Sequence, residues 1–266
     1  MNKKSDYMIE IRRLLETQRF DEMKAYLIAN SNLPGPRGNL ELAEAFYSYF
    51  NAQTITEELW NFLLELWENN APTNDPRELL PFCAAEAFAN LFSDVNDDKK
   101  NVILDKIRLA MNDSRWRMRE AAANCCQIIA EKDVEFMKEW ILSIYPSANL
   151  PEKRGIIAAL AHPPILRDRE TARFSLQICE RVLDDVLKLD STQLKCEQFA
   201  VLKKGLDYAP SVFVSKLPGE GFMMLKKYAL LNRKELNSVI KSNLSKSRLQ
   251  KYYSKEAEEI RALLVK

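Results

Sequence analysis

Apolar positions recur along the chain at helical spacing. In the segment 55–68 they follow one another at steps of three and four residues, while the glutamates fall on the other face. No segment alternates apolar and polar residues as a half-buried strand does. Pro81, inside the pattern at 76–92, should kink that helix or delay its start. The sequence therefore predicts an all-α protein, with helices at 6–18, 20–29, 39–51, 55–68, 76–92, 98–111, 115–131, 134–144, 151–160, 169–188, 192–208, 210–216, 220–230, 233–244 and 254–264.

Neighbouring segments resemble one another, which indicates a repeat. Arg119 opens an alanine-rich apolar run, and 35 residues later Arg154 opens another. A third unit runs from Pro218 to Lys246. Helix pairs at such a period are typical of α-solenoids, in which stacking buries the apolar face of each unit. We expect one solenoid domain of antiparallel helix pairs, an α-α superhelix, over 1–266, with capping helices at 1–30 and a C-terminal helix at 251–266.

Several phrases carry a family resemblance. DSRWRMREAAA, at 113–123, resembles the second helix of a HEAT repeat, which has an Asp in the turn between its helices and an Arg near the helix start. Asp113 and Arg119 stand at those places, and Arg119 is expected to bond the turn of a neighbouring repeat. Longer phrases at 33–46, 80–91, 202–222 and 239–250 are similar to a bacterial family of HEAT-repeat proteins. The resemblance implies a HEAT-like solenoid over most of the chain and implies no reaction.

HEAT-like proteins also include the alkylpurine DNA glycosylases of the AlkD type, which grip DNA in a concave basic groove. Their catalytic pattern combines aromatic residues with a carboxylate, and it does not align residue by residue with this chain. A DNA repair enzyme of this class is thus the alternative to a non-enzymatic scaffold, and no catalytic residue is predicted. The alternative requires an aromatic such as Trp116 or Tyr208 to share a cleft with a buried carboxylate, such as Asp113 or Asp207.

The amino-acid composition argues against several kinds of functional site. The chain has 266 residues, 47% of them apolar and 29% charged, as in ordinary folded proteins. Six glycines argue against a Gly-rich cofactor fold, and one histidine excludes a multi-histidine metal site. The five cysteines are odd in number and lack C-x-x-C spacing, so we expect buried thiols in a reducing cytoplasm. We predict no cofactor, no metal and no membrane segment, since no apolar run is long enough to span a bilayer.

Charge is distributed unevenly along the chain. Residues 1–100 hold 10 Lys+Arg and 17 Asp+Glu, a net charge of −7. Residues 101–199 hold 15 of each, and residues 200–266 hold 14 and 6, a net charge of +8. The charged residues either form solvated helix faces or, in the basic part 200–266, form a binding surface for an anionic partner. Such a partner would be nucleic acid or an acidic protein surface. A ladder of cations along the concave surface would suit a phosphate backbone.

Two further features are candidates for binding. The loop LPGPRGN, at 33–39, is shaped by two prolines and by Gly35 and Gly38, which are expected to permit positive φ. Asn39 is a typical N-cap residue for the next helix. The loop either only connects two helices or binds an anion through Arg37 and the backbone N–H groups before the helix. Trp116 either fills a gap between repeats or forms an exposed stacking platform. The candidate binding residues for a protein or nucleic-acid partner are Arg37, Trp116, Arg117, Arg154, Lys203, Lys204, Lys241, Lys246 and Arg248.

Overall fold

The computed structural model describes residues 3–51 and 54–264, and within these ranges it contains helices and no strand. The prediction of an all-α protein is confirmed. The predicted segments 1–30 and 251–266 each extend two residues beyond the described part of the chain. The α-helices are α1 (Lys3–Glu16), α2 (Phe20–Ala29), α3 (Leu40–Ser48), α4 (Glu57–Trp67), α5 (Leu79–Leu91), α6 (Asp97–Met111), α7 (Trp116–Lys132), α8 (Val134–Ile144), α9 (Leu150–Leu160), α10 (Arg169–Leu187), α11 (Glu197–Leu206), α12 (Ala209–Lys216), α13 (Pro218–Leu230), α14 (Lys234–Leu244), α15 (Ser247–Gln250) and α16 (Ser254–Leu263).

The chain forms two compact units, Met1–Lys132 and Asp133–Lys266. In the first unit α5 is the central helix: it packs against α3, α4 and α7, and each of its residues is buried. In the second unit α9 packs against α11, while α12 and α13 pack against each other. Helices close in sequence thus pack together in both units, as stacked helix pairs do. HEAT repeats and a single domain over 1–266 stay predictions.

The start of α5 is delayed, as the proline predicts. Asp75 caps a short 3-10 turn at Pro76–Glu78, and α5 begins at Leu79. Pro81 then lies in the first turn of the helix, where the backbone N–H that it lacks would have no intrahelical partner. The turn places Glu78 directly before α5, where its side chain is buried.

The loop before α3 differs from expectation in one respect. Gly35 and Gly38 both have negative φ, so the prediction of positive φ is wrong for both; Asn32 takes that conformation instead, with φ 58°. A Cβ on Gly35 would lie 2.7 Å from the carbonyl oxygen of Asn32, so a close backbone approach requires glycine there. Asn39 caps α3 as predicted, because its side chain accepts the N–H of Leu42 at 3.1 Å.

The cysteines are free thiols. Cys83, Cys125, Cys126 and Cys179 are buried, and Cys196 is half-buried at the start of α11. Burial raises the pKa of Cys126 to about 12, so this thiol stays protonated near neutral pH. Across the residues that the structure describes, no helix combines the length and apolarity needed to cross a membrane.

Candidate functional site

A cavity of about 270 Å³ lies in the first unit, where the loop before α3 meets the starts of α5 and α7. It brings together three of the predicted binding residues, Arg37, Trp116 and Arg117, from distant parts of the sequence. We call it the Trp116 pocket. Its lining consists of Arg37, Gly38, Leu40, Glu78, Leu79, Phe82, Trp116, Arg117, Glu120 and Asn124.

Trp116 lies at the rim of this pocket. Its side chain is 43% exposed, and the guanidinium carbon of Arg117 lies 4.5 Å from its ring centroid. A ring that plugged the space between two repeats would be covered by its neighbours. The exposure therefore favours the stacking platform over the gap-filling role.

Arg117 and Glu78 form a buried ion pair in the wall of the pocket. Glu78 is 0% exposed and Arg117 is 6% exposed; Nη1 of Arg117 donates to Oε2 of Glu78 at 2.9 Å. That oxygen also accepts the N–H of Asn74, and Nη2 of Arg117 donates to the carbonyl of Gly35 at 2.8 Å. Arg117 thus ties α7 to the start of α5 and to the loop before α3.

The same ion pair is incompletely satisfied. Oε1 of Glu78 and Nε of Arg117 are buried and have no hydrogen-bond partner among the described residues. A buried polar atom without a partner costs about 1–3 kcal/mol. The ion pair therefore contains one acceptor atom and one donor atom whose burial is not compensated by a hydrogen bond.

A second buried acid adjoins the pocket through Asn124. Nδ2 of Asn124 donates to Oε1 of Glu86 at 3.0 Å. Burial raises the pKa of Glu86 to about 7, against the opposing effect of this hydrogen bond. Sequence reasoning missed Glu78 and Glu86. The available signal was their position as acids inside the mostly apolar segment 76–92.

Two arginines bind around the turn before α7. Arg119 donates to the carbonyl of Ser114 in that turn at 2.9 Å. Arg115 reaches the loop after α4, where it donates to the carbonyl of Asn69 at 2.9 Å. Arg115 also donates twice to the carboxylate of Asp113, at 2.9 and 2.6 Å. Arg115 thus links the turn before α7 to the preceding helix pair. A bond from Arg119 to the turn of a neighbouring repeat stays a prediction.

The second unit places most of the remaining candidates at the joined ends of α11 and α14. The two ends are held by Asn243, whose Nδ2 donates to the carbonyl of Leu206 at 2.7 Å. Tyr208 is 48% exposed, and the guanidinium carbon of Arg248 lies 4.6 Å from its ring centroid. We call this region the Tyr208 surface. It comprises Lys203, Lys204, Tyr208, Lys241, Lys246 and Arg248.

The cations of the Tyr208 surface are not equivalent. Lys203 donates to both carboxylate oxygens of Asp207, at 2.8 and 2.7 Å, so its charge is compensated. Lys204 and Lys241 are exposed. Arg154 lies beside this region: its Cγ is 3.0 Å from where a Cβ on Gly205 would stand, so its stem packs against α11.

Both carboxylates named from the sequence form ion pairs: Asp113 is held by Arg115, and Asp207 by Lys203. Trp116 shares its pocket with another carboxylate, that of Glu78. Within 3–51 and 54–264, no cluster of three or more His, Cys, Asp or Glu side chains could hold a metal ion.

No family model, no curated protein and no solved structure matches this chain. The resemblance to HEAT-repeat proteins therefore rests on the sequence phrases alone. The Trp116 pocket and the Tyr208 surface are the two features of the structure that bear on function.

Proposed function

We propose that this protein is a non-enzymatic scaffold that binds an anionic macromolecule, and that the Tyr208 surface binds single-stranded nucleic acid. The observation that carries the proposal is the exposed ring of Tyr208 with the guanidinium of Arg248 at 4.6 Å. An aromatic ring among cations is the arrangement by which proteins bind single strands without sequence preference, since every base can stack on it. An acidic protein surface is the alternative partner.

The charge of the region supports the same proposal. Residues 200–266 carry a net charge of +8. Lys203 is compensated by Asp207, which leaves Lys204, Lys241, Lys246 and Arg248 with no ion pair to a described carboxylate. Four cations that each neutralise one phosphate give a log–log salt slope of about −2.8 on a single strand.

The test is a binding titration of labelled single-stranded and duplex oligonucleotides over a range of salt concentrations. The double variant Lys204→Glu/Lys241→Glu should weaken binding and flatten the single-strand slope by about 1.4. Tyr208→Ala should weaken single strands about tenfold and leave the slope unchanged, because stacking is not ionic. Duplexes should be nearly unaffected by Tyr208→Ala, since their bases are already stacked.

The matched control carries the same change of net charge elsewhere in the second unit. Lys195 and Lys255 are exposed and lie outside the Tyr208 surface. Lys195→Glu/Lys255→Glu should therefore keep the slope of the wild type. An equal loss in both double variants would mean that only total charge matters. Absence of binding at about 50 mM salt, where screening is weak, would reject nucleic acid and leave an acidic protein as the partner.

The second candidate is an enzyme of the alkylpurine glycosylase class. The observation in its favour is that the exposed ring of Trp116 and the carboxylate of Glu78 line one cavity. Against it, Oε2 of Glu78 is already engaged by Arg117 at 2.9 Å. Chromatography of the supernatant after incubation with methylated duplex DNA would detect excised base. Release no faster than in a protein-free control would eliminate this candidate.

A further inference from the structure

The Trp116 pocket has properties that the proposed function does not use. The buried ion pair of Glu78 and Arg117 lies in its wall. The pair fixes the guanidinium carbon of Arg117 at 4.5 Å from the ring centroid of Trp116, so the ring is held at the rim of the cavity.

The rest of the pocket favours a flat ring. Trp116 is 43% exposed, and aromatic rings bind planar bases by stacking. Phe82 and Leu79 add apolar wall, and the exposed side chain of Leu40 lies at the rim. A volume of about 270 Å³ lies just below the range of pockets for drug-sized ligands, so it suits one heterocycle.

Arg37 favours a ligand that carries a negative charge. It is exposed, lines the pocket and has no ion-pair partner among the described residues. A guanidinium in such a position pairs well with phosphate, which it can engage with two parallel hydrogen bonds.

We propose that the Trp116 pocket binds a mononucleotide. The base stacks on the exposed ring of Trp116, and its phosphate pairs with Arg37. Guanosine 5′-monophosphate is a suitable probe, because its two-ring base gives a large stacking surface. This site belongs to the first unit and does not depend on strand binding at the Tyr208 surface.

The test is isothermal titration calorimetry of the full chain with guanosine 5′-monophosphate, guanosine and ribose 5-phosphate. The monophosphate should bind with one site per chain, and guanosine should bind about tenfold more weakly for want of the charge-assisted bond to Arg37. Ribose 5-phosphate should give no heat of binding, because it has no ring to stack. Comparable affinity for ribose 5-phosphate and the monophosphate would overturn the proposal.

Two variants at exposed positions test the contacts. Arg37→Ala should lower the affinity for the monophosphate about tenfold and leave that for guanosine unchanged. Trp116→Ala should lower both affinities at least about tenfold, through the loss of stacking. Arg12→Ala, an exposed arginine of α1 outside the pocket, is the matched control and should bind as the wild type does. Binding that survives Trp116→Ala would contradict the site.

A competition experiment distinguishes two possible ligands of the Trp116 pocket, a free nucleotide and a base of a bound strand. Excess guanosine 5′-monophosphate should leave single-strand binding unchanged, because the strand is held at the Tyr208 surface. Displacement of the strand by the monophosphate would overturn the mononucleotide assignment, since it would mean that a strand inserts a base into the Trp116 pocket. Failure of strand binding with intact mononucleotide binding would reject the proposed function alone.

Discussion

At the scale of single residues, two glycines of one loop provide a matched comparison. A Cβ on Gly35 would stand 2.7 Å from the carbonyl oxygen of Asn32, whereas the nearest atom to a Cβ on Gly38 is Cδ1 of Leu79 at 3.6 Å. Gly35→Ala should lower the free energy of unfolding by about 1–3 kcal/mol, since backbone must shift. Gly38→Ala should be neutral or slightly stabilising, because it restricts the unfolded chain. Urea unfolding measures both; equal effects would contradict the close backbone approach at Gly35.

The buried acid Glu86 makes stability depend on pH. Burial raises its pKa to about 7 from an ordinary value of 4.5, so the folded protein binds the proton more tightly than the unfolded chain does. Its contribution is fully present below pH 4.5 and is lost as the pH rises through about 7, a difference of about 3 kcal/mol. The stability of Glu86→Gln relative to wild type should therefore increase by about that amount from pH 4.5 to 8. Urea unfolding of both proteins at pH 4.5 and at pH 8 measures this change, and an equal difference at the two pH values would contradict the raised pKa of Glu86.

The residues of the Trp116 pocket could be predicted from the sequence only in part. Arg37 and Trp116 stood out because an unusual loop and an aromatic between arginines are visible in one dimension. Glu78 did not, because a glutamate near a helix start usually serves the helix dipole at the surface. Its burial depends on Arg117, 39 positions further on, and such a pairing is fixed only by the packing of α5 and α7.

At the scale of elements, apolar spacing and capping residues located most helices. The predictions for 20–29 and 134–144 coincide with α2 and α8. The segment 192–208 was wrong as one helix: it divides into a 3-10 turn at Gln193–Lys195 and α11, with Cys196 as the cap between them. Cysteine is not among the residues preferred at helix N-caps, so these preferences did not indicate that a helix begins after Cys196. The spacing of apolar residues did not reveal the break, because a 3-10 turn of three residues and an α-helix have nearly the same period over so short a segment.

The joint between α11, α12 and α14 depends on one buried amide. Asn243 is fully buried; Oδ1 accepts the N–H of Ser211 at 2.8 Å, and Nδ2 donates to the carbonyls of Leu206 and Val239 at 2.7 and 2.8 Å. Asn243→Ala should lower the free energy of unfolding by about 3 kcal/mol, because it leaves buried backbone groups without partners. Ser245→Ala, at an exposed position beside it, should cost less than about 0.5 kcal/mol in the same denaturation experiment. Similar losses for the two variants would refute the bridging role.

At the scale of the whole molecule, a total charge of +1 hides a strong asymmetry. Residues 1–100 carry −7 and residues 200–266 carry +8, so favourable contacts with a polyanion come from the C-terminal part of the chain. The number of phosphates neutralised should then be limited by the Tyr208 surface and not by the length of the strand.

This limit can be measured with single strands of increasing length. From about 10 to about 40 nucleotides the log–log salt slope should stay near −2.8, because four cations neutralise four phosphates at every length. The affinity itself should rise only in proportion to the number of overlapping sites on the longer strand. A slope that steepens steadily with length would instead mean that lysines beyond the Tyr208 surface contact the strand, and it would contradict a short, localised footprint.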